Sequence, residues 1–382
     1  MQKPVLPLLV AAALAATALL TMAGTLSDPV RWTPDGLFYH ARSLELQGTD
    51  REVALQQAFQ GPLGAELRRL DPYRSGDPEW VAYNAKFYER RITVPAAAAA
   101  LEAVAGERAI LDISVAGYVA AILAIFALLL LRFSLPVAAA VAAATIALPA
   151  LRYHSSFPLT DSWGVALQTA AFVFGLLSLD RGRPWLLPWV AAIVLLSFTR
   201  DSVWIPIIAA LAVTLHQRSR DSRLLLGTAV AAALPALLIF SLPLQDLLAT
   251  MLNGIQPSAD TSWGFIADRY PGAFVDLLQA DGGHVRDGAW YSAAFLVGGL
   301  ALLFLLGWGR RRSPATTFLQ AAALAGIAYI LVVPIFSAFR LELVCVPMAA
   351  YGLALGTEWA LERFPSLAWA RTPALPGARS RP

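Results

Sequence analysis

Asp35, Tyr39 and His40 fall within six residues of one another in the stretch Thr33-Pro34-Asp35-Gly36-Leu37-Phe38-Tyr39-His40-Ala41-Arg42-Ser43. A carboxylate, a phenol and an imidazole this close together, beside a glycine that frees the backbone, suit proton transfer at a hydroxyl and orientation of its oxygen. The same letters also spell a helix start, with Asp35 as the cap and Tyr39 as an anchor among lipid headgroups. The stretch by itself leaves both readings open.

Three further short stretches hold ionisable groups against an apolar background. Tyr153, His154, Thr160, Asp161 and Ser162 form one, Arg200-Asp201 the second and Arg340-Leu-Glu342 the third. Each sits where one apolar run gives way to the next. If the runs pack as a compact bundle, these connections and Asp35 surround one cavity, with Tyr39, His40, His154, Asp161, Arg200, Asp201, Arg340 and Glu342 on its wall. The plainer reading makes each an interfacial residue solvated by headgroups. Arg200 and Arg340 are the hardest to read that way, because an isolated arginine on this face implies an anionic partner. Asp201 and Glu342 are the local candidates, and a lipid phosphate is the other.

The elements that must position these groups are membrane helices. Of 382 residues, 58% are hydrophobic and 14% charged, well under the quarter that soluble domains carry, so the composition is that of an integral membrane protein. The reading is an all-α polytopic protein with about ten transmembrane helices. Residues 1–24 form the first span or a signal anchor, 25–108 a long polar insertion, and 109–245 spans two to seven. Residues 246–290 form a second polar insertion, 291–362 spans eight to ten, and 363–382 a basic tail whose composition suggests disorder. In the first insertion, Ala54 to Leu70 and Glu79 to Glu89 read as short amphipathic helices lying along the membrane surface. Two adjacent runs, 185–199 and 202–215, are separated only by Thr199-Arg200-Asp201, read as a tight re-entry at one membrane face. Basic residues cluster at alternate connections: Arg132, Asp180 to Arg183, His216 to Arg223, Arg310 to Arg312 and the tail from Arg363. The positive-inside rule then places both termini in the cytoplasm and both insertions outside, in the plasma (inner) membrane of a bacterium whose Ala-, Arg- and Pro-rich composition fits a GC-rich genome.

Several classes lose support. The one cysteine, Cys345, excludes an internal disulfide and a cysteine-based metal site. Nucleic-acid binding has no interleaved aromatic and basic surface to rest on. No close His/Asp cluster has metal-ligand spacing, although Asp35 and Asp161 brought together in space would suit a divalent cation. A coupled transporter is expected to keep a carboxylate or a polar break at the midplane, and the spans offer only Pro235 and Pro334 as kinks.

In order and topology the chain resembles the GT-C superfamily of membrane glycosyltransferases, the mannosyltransferase-like enzymes that use polyprenyl-phosphate-linked sugars. Four segments carry the resemblance. Pro34-Asp35-Gly36-Leu37-Phe38-Tyr39-His40 is similar to the acid-bearing opening of the family's first external loop. Tyr88-Glu-Arg-Arg-Ile-Thr-Val-Pro95 resembles its aromatic-basic segment, and Phe198-Thr-Arg-Asp-Ser202 its Thr/Arg joint. Phe339-Arg340-Leu-Glu-Leu-Val-Cys-Val-Pro347 is similar to its late arginine before a Pro-containing span. The chain departs from the pattern in having Asp35 followed by Gly36 where many members pair two acids, and in lacking a large C-terminal soluble domain.

The resemblance implies sugar transfer from a polyprenyl-phosphate donor to a glycan, lipid or protein hydroxyl on the outer membrane face, with inversion. Asp35 is then the base, its pKa raised by partial burial. Arg340, followed by Arg200 and by Arg90 or Arg91, grips the phosphate. His40, His154 and Asp161 orient acceptor or base. Two alternatives remain beside it: a non-catalytic scaffold or assembly factor of the same fold, and a transporter of lipid-linked sugars.

Overall fold

The computed structural model describes residues 5–70, 76–239, 243–308, 313–332 and 339–364. Pro72, the Arg310 to Arg312 cluster, Pro334 and the tail beyond residue 364 lie outside the described residues. Every regular element among the described residues is helical.

Six helices are long and apolar enough to cross a membrane: Thr93–Leu130, Asp161–Arg181, Arg220–Leu238, Trp263–Gly307, Pro314–Val332 and Glu342–Arg363. A bent pair, Leu135–Ile146 and Pro149–Ser155, turns by 58° and makes up to a seventh. Pro149 explains the bend, because its ring cannot continue the preceding helix and it pushes Leu148 to extended backbone. Three more apolar helices, Val5–Thr21, Arg183–Ser197 and Asp201–Gln217, are shorter. The chain is therefore a membrane-embedded helical protein.

The Asp161–Arg181 helix runs through the middle, with 78% of its apolar window buried against its neighbours. Small residues let those neighbours come close. Gly175 lies so near Trp189 that a Cβ there would meet Cζ3 at 2.9 Å, and Trp189 is fully buried. Where the Trp290–Trp308 and Val346–Arg363 helices cross, a Cβ on Gly352 would sit 1.8 Å from the Gly299 carbonyl oxygen. That contact admits only glycine.

The first polar insertion is more than a set of surface helices. Its helices are Pro34–Leu46, Arg51–Gln60, Ala65–Leu70, Pro78–Ala85 and Thr93–Ala105. The segment from Ala54 to Leu70, expected as one helix, is two, broken near Gly61, Pro62 and Gly64. Leu37, Phe38, Ala41, Ala54, Ala58, Phe59, Trp80, Val81 and Ala85 form a buried core of their own. The insertion is thus a packed helical unit, held together by the apolar area it buries. The second insertion is also mostly helical, with helices over Leu244–Leu252 and Trp263–His284. The two insertions are tied by Trp80 Nε1 donating to the Ile255 carbonyl at 2.9 Å, and by Tyr83 and Thr250 hydroxyls 2.7 Å apart.

Candidate active site

Asp35 is the second residue of its helix, and it does not cap it. The cap is Thr33, whose hydroxyl accepts from the Gly36 amide at 3.1 Å, with Pro34 in the first helical position. That leaves the Asp35 carboxylate for other partners. Tyr39, four residues on, occupies the same helix face. It is fully buried, which rules out the headgroup-anchor reading.

Asp35 has partners from two distant segments, and the network around it draws on four. Tyr88 donates its hydroxyl to Asp35 Oδ1 at 2.7 Å, and Arg340 Nη2 approaches Asp35 Oδ2 at 2.6 Å. Arg340 Nε reaches both Oδ1 and Oδ2 of Asp161 at 3.0 Å. Arg200 Nη1 lies 3.0 Å from the same Asp161 Oδ1. On the other side, Arg91 donates to the Tyr39 hydroxyl at 2.9 Å and to Asp201 Oδ2 at 3.1 Å, and Arg90 pairs with Asp201 Oδ1. The Tyr39 hydroxyl lies 3.1 Å from that of Thr160, beside Asp161. Asp35, Tyr39, Arg90, Arg91, Asp161, Arg200, Asp201 and Arg340 therefore belong to one polar network.

The network has a closed floor and an open mouth. The side chains of Asp161 and Arg200 are 1% and 7% exposed, whereas those of Asp35 and Arg340 are each 21% exposed. Arg340 Nη2 is itself buried; its approach to Asp35 is an ion pair outside hydrogen-bond geometry, and it has no directed acceptor among the described residues.

Electrostatics at the mouth differ from expectation in sign. Burial does raise the Asp35 carboxyl, but Arg340, the Tyr88 hydroxyl and Arg91 together outweigh it and hold the group below its ordinary 3.8. Burial and the neighbouring Asp35 push the Tyr88 phenol well above its usual range, so Tyr88 is a donor at neutral pH. Arg340 is held firmly protonated, because Asp161 and Asp35 more than offset its burial.

The expected local pairings do not form. Arg200 has extended backbone, with φ −150° and ψ 155°, so it and Asp201 point to opposite sides. Arg200 turns to Asp161 while Asp201 takes Arg90 and Arg91. Glu342 does not meet Arg340 either, since residues two apart in a helical turn do not face each other. Its carboxyl lies against that of Asp281. His40 points away from the network, its ring 5.5 Å from that of Trp32, and burial lowers its pKa although Glu102 and Glu107 act to raise it. His154 is buried in the last turn of the Pro149–Ser155 helix, edge-on to Tyr153 and near enough to interact electrostatically with Asp161.

Between the Asp35 and Asp161 carboxylates, where a divalent cation was expected to fit, stands the Arg340 guanidinium. No group of three or more metal-ligating side chains occurs among the described residues. Tyr88 and Thr160 stood in stretches the sequence singled out, but neither was given a role at the site. Tyr88 is the aromatic immediately before the acid-base run Glu89-Arg90-Arg91, and Thr160 immediately precedes Asp161. Compared with protein-family models and with curated proteins, the sequence matches neither.

Proposed function

We propose that the protein is a GT-C-type membrane glycosyltransferase, moving a sugar from a polyprenyl-phosphate donor to an acceptor hydroxyl on the outer face of a bacterial plasma membrane. The observation that carries this reading is the Arg340 guanidinium, anchored on buried Asp161 and touching the partly open Asp35 with an Nη2 that lacks a directed acceptor. An arginine so placed suits a phosphate oxygen beside a carboxylate base. Four guanidinium groups and three carboxylates make up the network, leaving one positive charge in excess, the complement of a phosphodiester monoanion.

The depressed Asp35 pKa suits this order of events. A donor phosphate that takes Arg340 Nη2 relieves Asp35 Oδ2 of its cation, and the carboxylate becomes more basic, while Tyr88 continues to hold Oδ1. The acceptor oxygen then attacks the anomeric carbon as Oδ2 takes its proton. The bond from that carbon to the phosphate oxygen breaks, and its electron pair stays with the phosphate, whose extra negative charge faces Arg340. Attack opposite the departing phosphate inverts the anomeric centre. A positioned base of this kind contributes about 10²–10⁴-fold.

The topology follows the same reading. The six long apolar helices, the bent pair and the three shorter apolar helices together number ten, with both termini cytoplasmic and both insertions outside. Membrane lipids surround the bundle, and the acceptor is a glycan, lipid or protein. The test is reconstitution with a panel of radiolabelled polyprenyl-phosphate sugars and membrane extract as acceptor. Label in a new glycosidic product supports transfer. Label crossing sealed vesicles with no new bond makes the protein a transporter, and neither result from folded protein leaves a scaffold.

A further inference from the structure

Arg340 is delivered to the network by a short turn, and that turn is strained. Phe339, the residue before it, has φ of +60°, the left-handed region that a bulky side chain occupies only when its surroundings hold it there. Two things hold it. Its side chain is buried in the main core, and its backbone amide donates to Asp281 Oδ1 at 3.3 Å. Asp281 belongs to the Trp263–His284 helix of the second insertion, far along the chain from every other member of the network. Glu342, two residues past Arg340, lies close enough to Asp281 for the two carboxyls to interact. Glu342 Oε2 is buried with no hydrogen-bond partner among the described residues.

We propose that Asp281 is a positioning residue for Arg340: by clamping the Phe339 amide from the second insertion, it fixes the turn that aims the Arg340 guanidinium at Asp35 and Asp161. Glu342 faces Asp281 instead of pairing with Arg340. The second insertion then has a definite task. It makes the geometry of a residue on the late turn depend on the docking of a helix contributed by a different part of the chain. The consequence for sugar transfer rests on the phosphate-binding reading of Arg340, but the positional claim does not.

The test therefore reads Arg340 directly. Full-length protein in lipid nanodiscs is treated with phenylglyoxal, which modifies accessible guanidinium groups, and the Arg340 peptide is followed by mass spectrometry. Wild type, Asp281→Ala and Asp281→Asn are compared. Asparagine keeps an oxygen to accept from the Phe339 amide and an NH2 to donate to Glu342, so Arg340 should stay as protected as in wild type. Alanine removes the acceptor and should speed modification about five-fold or more. If Asp281→Ala fails to insert, Asp281→Glu, which displaces the carboxyl by one methylene, replaces it with the same expected direction. Equal rates in wild type and the clamp-breaking variant overturn the proposal, and so does equal acceleration in alanine and asparagine variants. Where transfer activity is present, the alanine variant should raise KM for the donor more than it lowers kcat, and asparagine should restore it. Absence of transfer in wild type would remove the functional reading while leaving the labelling result to judge the clamp.

Discussion

Thr33, not Asp35, caps the helix that opens the first insertion, and that exchange of roles leaves the Asp35 carboxylate to Tyr88 and Arg340. Replacing Thr33 by Ala should cost about 1 kcal/mol of stability in a denaturant titration. The Asp35 pKa gives a second expectation. Its folded value lies below the ordinary 3.8, so its ion pair contributes stability that is fully present above 3.8 and lost as pH falls through the folded value. Removing the Tyr88 hydroxyl with Tyr88→Phe takes away one of the lowering influences. The folded pKa should rise toward 3.8, and thermal midpoints measured across acid pH should show a smaller acid-dependent loss than wild type. An unchanged profile would mean that the Tyr88 contact does not act on Asp35. At this scale the sequence was informative about residue types and poor about partners. Asp35, Asp161, Arg200 and Arg340 stand out in an apolar chain because charge there is costly without a partner. Which carboxylate meets which guanidinium depended on the extended backbone at Arg200 and on the turn that carries Arg340, which no local composition encodes.

At the scale of helices, the network is assembled by close approaches. Gly164, one turn into the central helix from Asp161, leaves no room for a side chain: a Cβ there would meet Arg200 Cγ at 2.7 Å. Since the Arg200 head is fixed on Asp161, its stem cannot easily swing aside. Gly164→Ala should displace Arg200 and lower activity while the protein still inserts, measured as transfer per folded molecule. Gly352→Ala acts elsewhere, on the crossing of two long helices against the Gly299 carbonyl, and should destabilise the bundle by at least about 1–3 kcal/mol through overpacking. Thermal unfolding in detergent would distinguish the two variants. The apolar runs made the helices legible from sequence. The core of the first insertion was not, because Phe38, Phe59 and Trp80 come from three short helices whose individual apolar faces are too brief to announce a shared partner.

At the scale of the whole molecule, the bundle presents its polar network where several helices begin or end, and the two insertions are joined to each other through Trp80 and Ile255. The sequence anticipated this gathering from the placement of charge at the ends of apolar runs. It did not foresee that the second insertion is largely helical, since Gly and Pro among the acids of residues 246–290 read as loop signals, while the helix there carries Pro271 in its interior. The central claim is that Asp35 is the base of a sugar transfer. The most direct measurement sets wild type beside Asp35→Asn in the reconstituted transfer assay with radiolabelled polyprenyl-phosphate sugars, after both are shown to insert and fold alike. Labelled product is expected from wild type, and at least about a 100-fold lower rate from the asparagine variant. Full transfer by Asp35→Asn would contradict it.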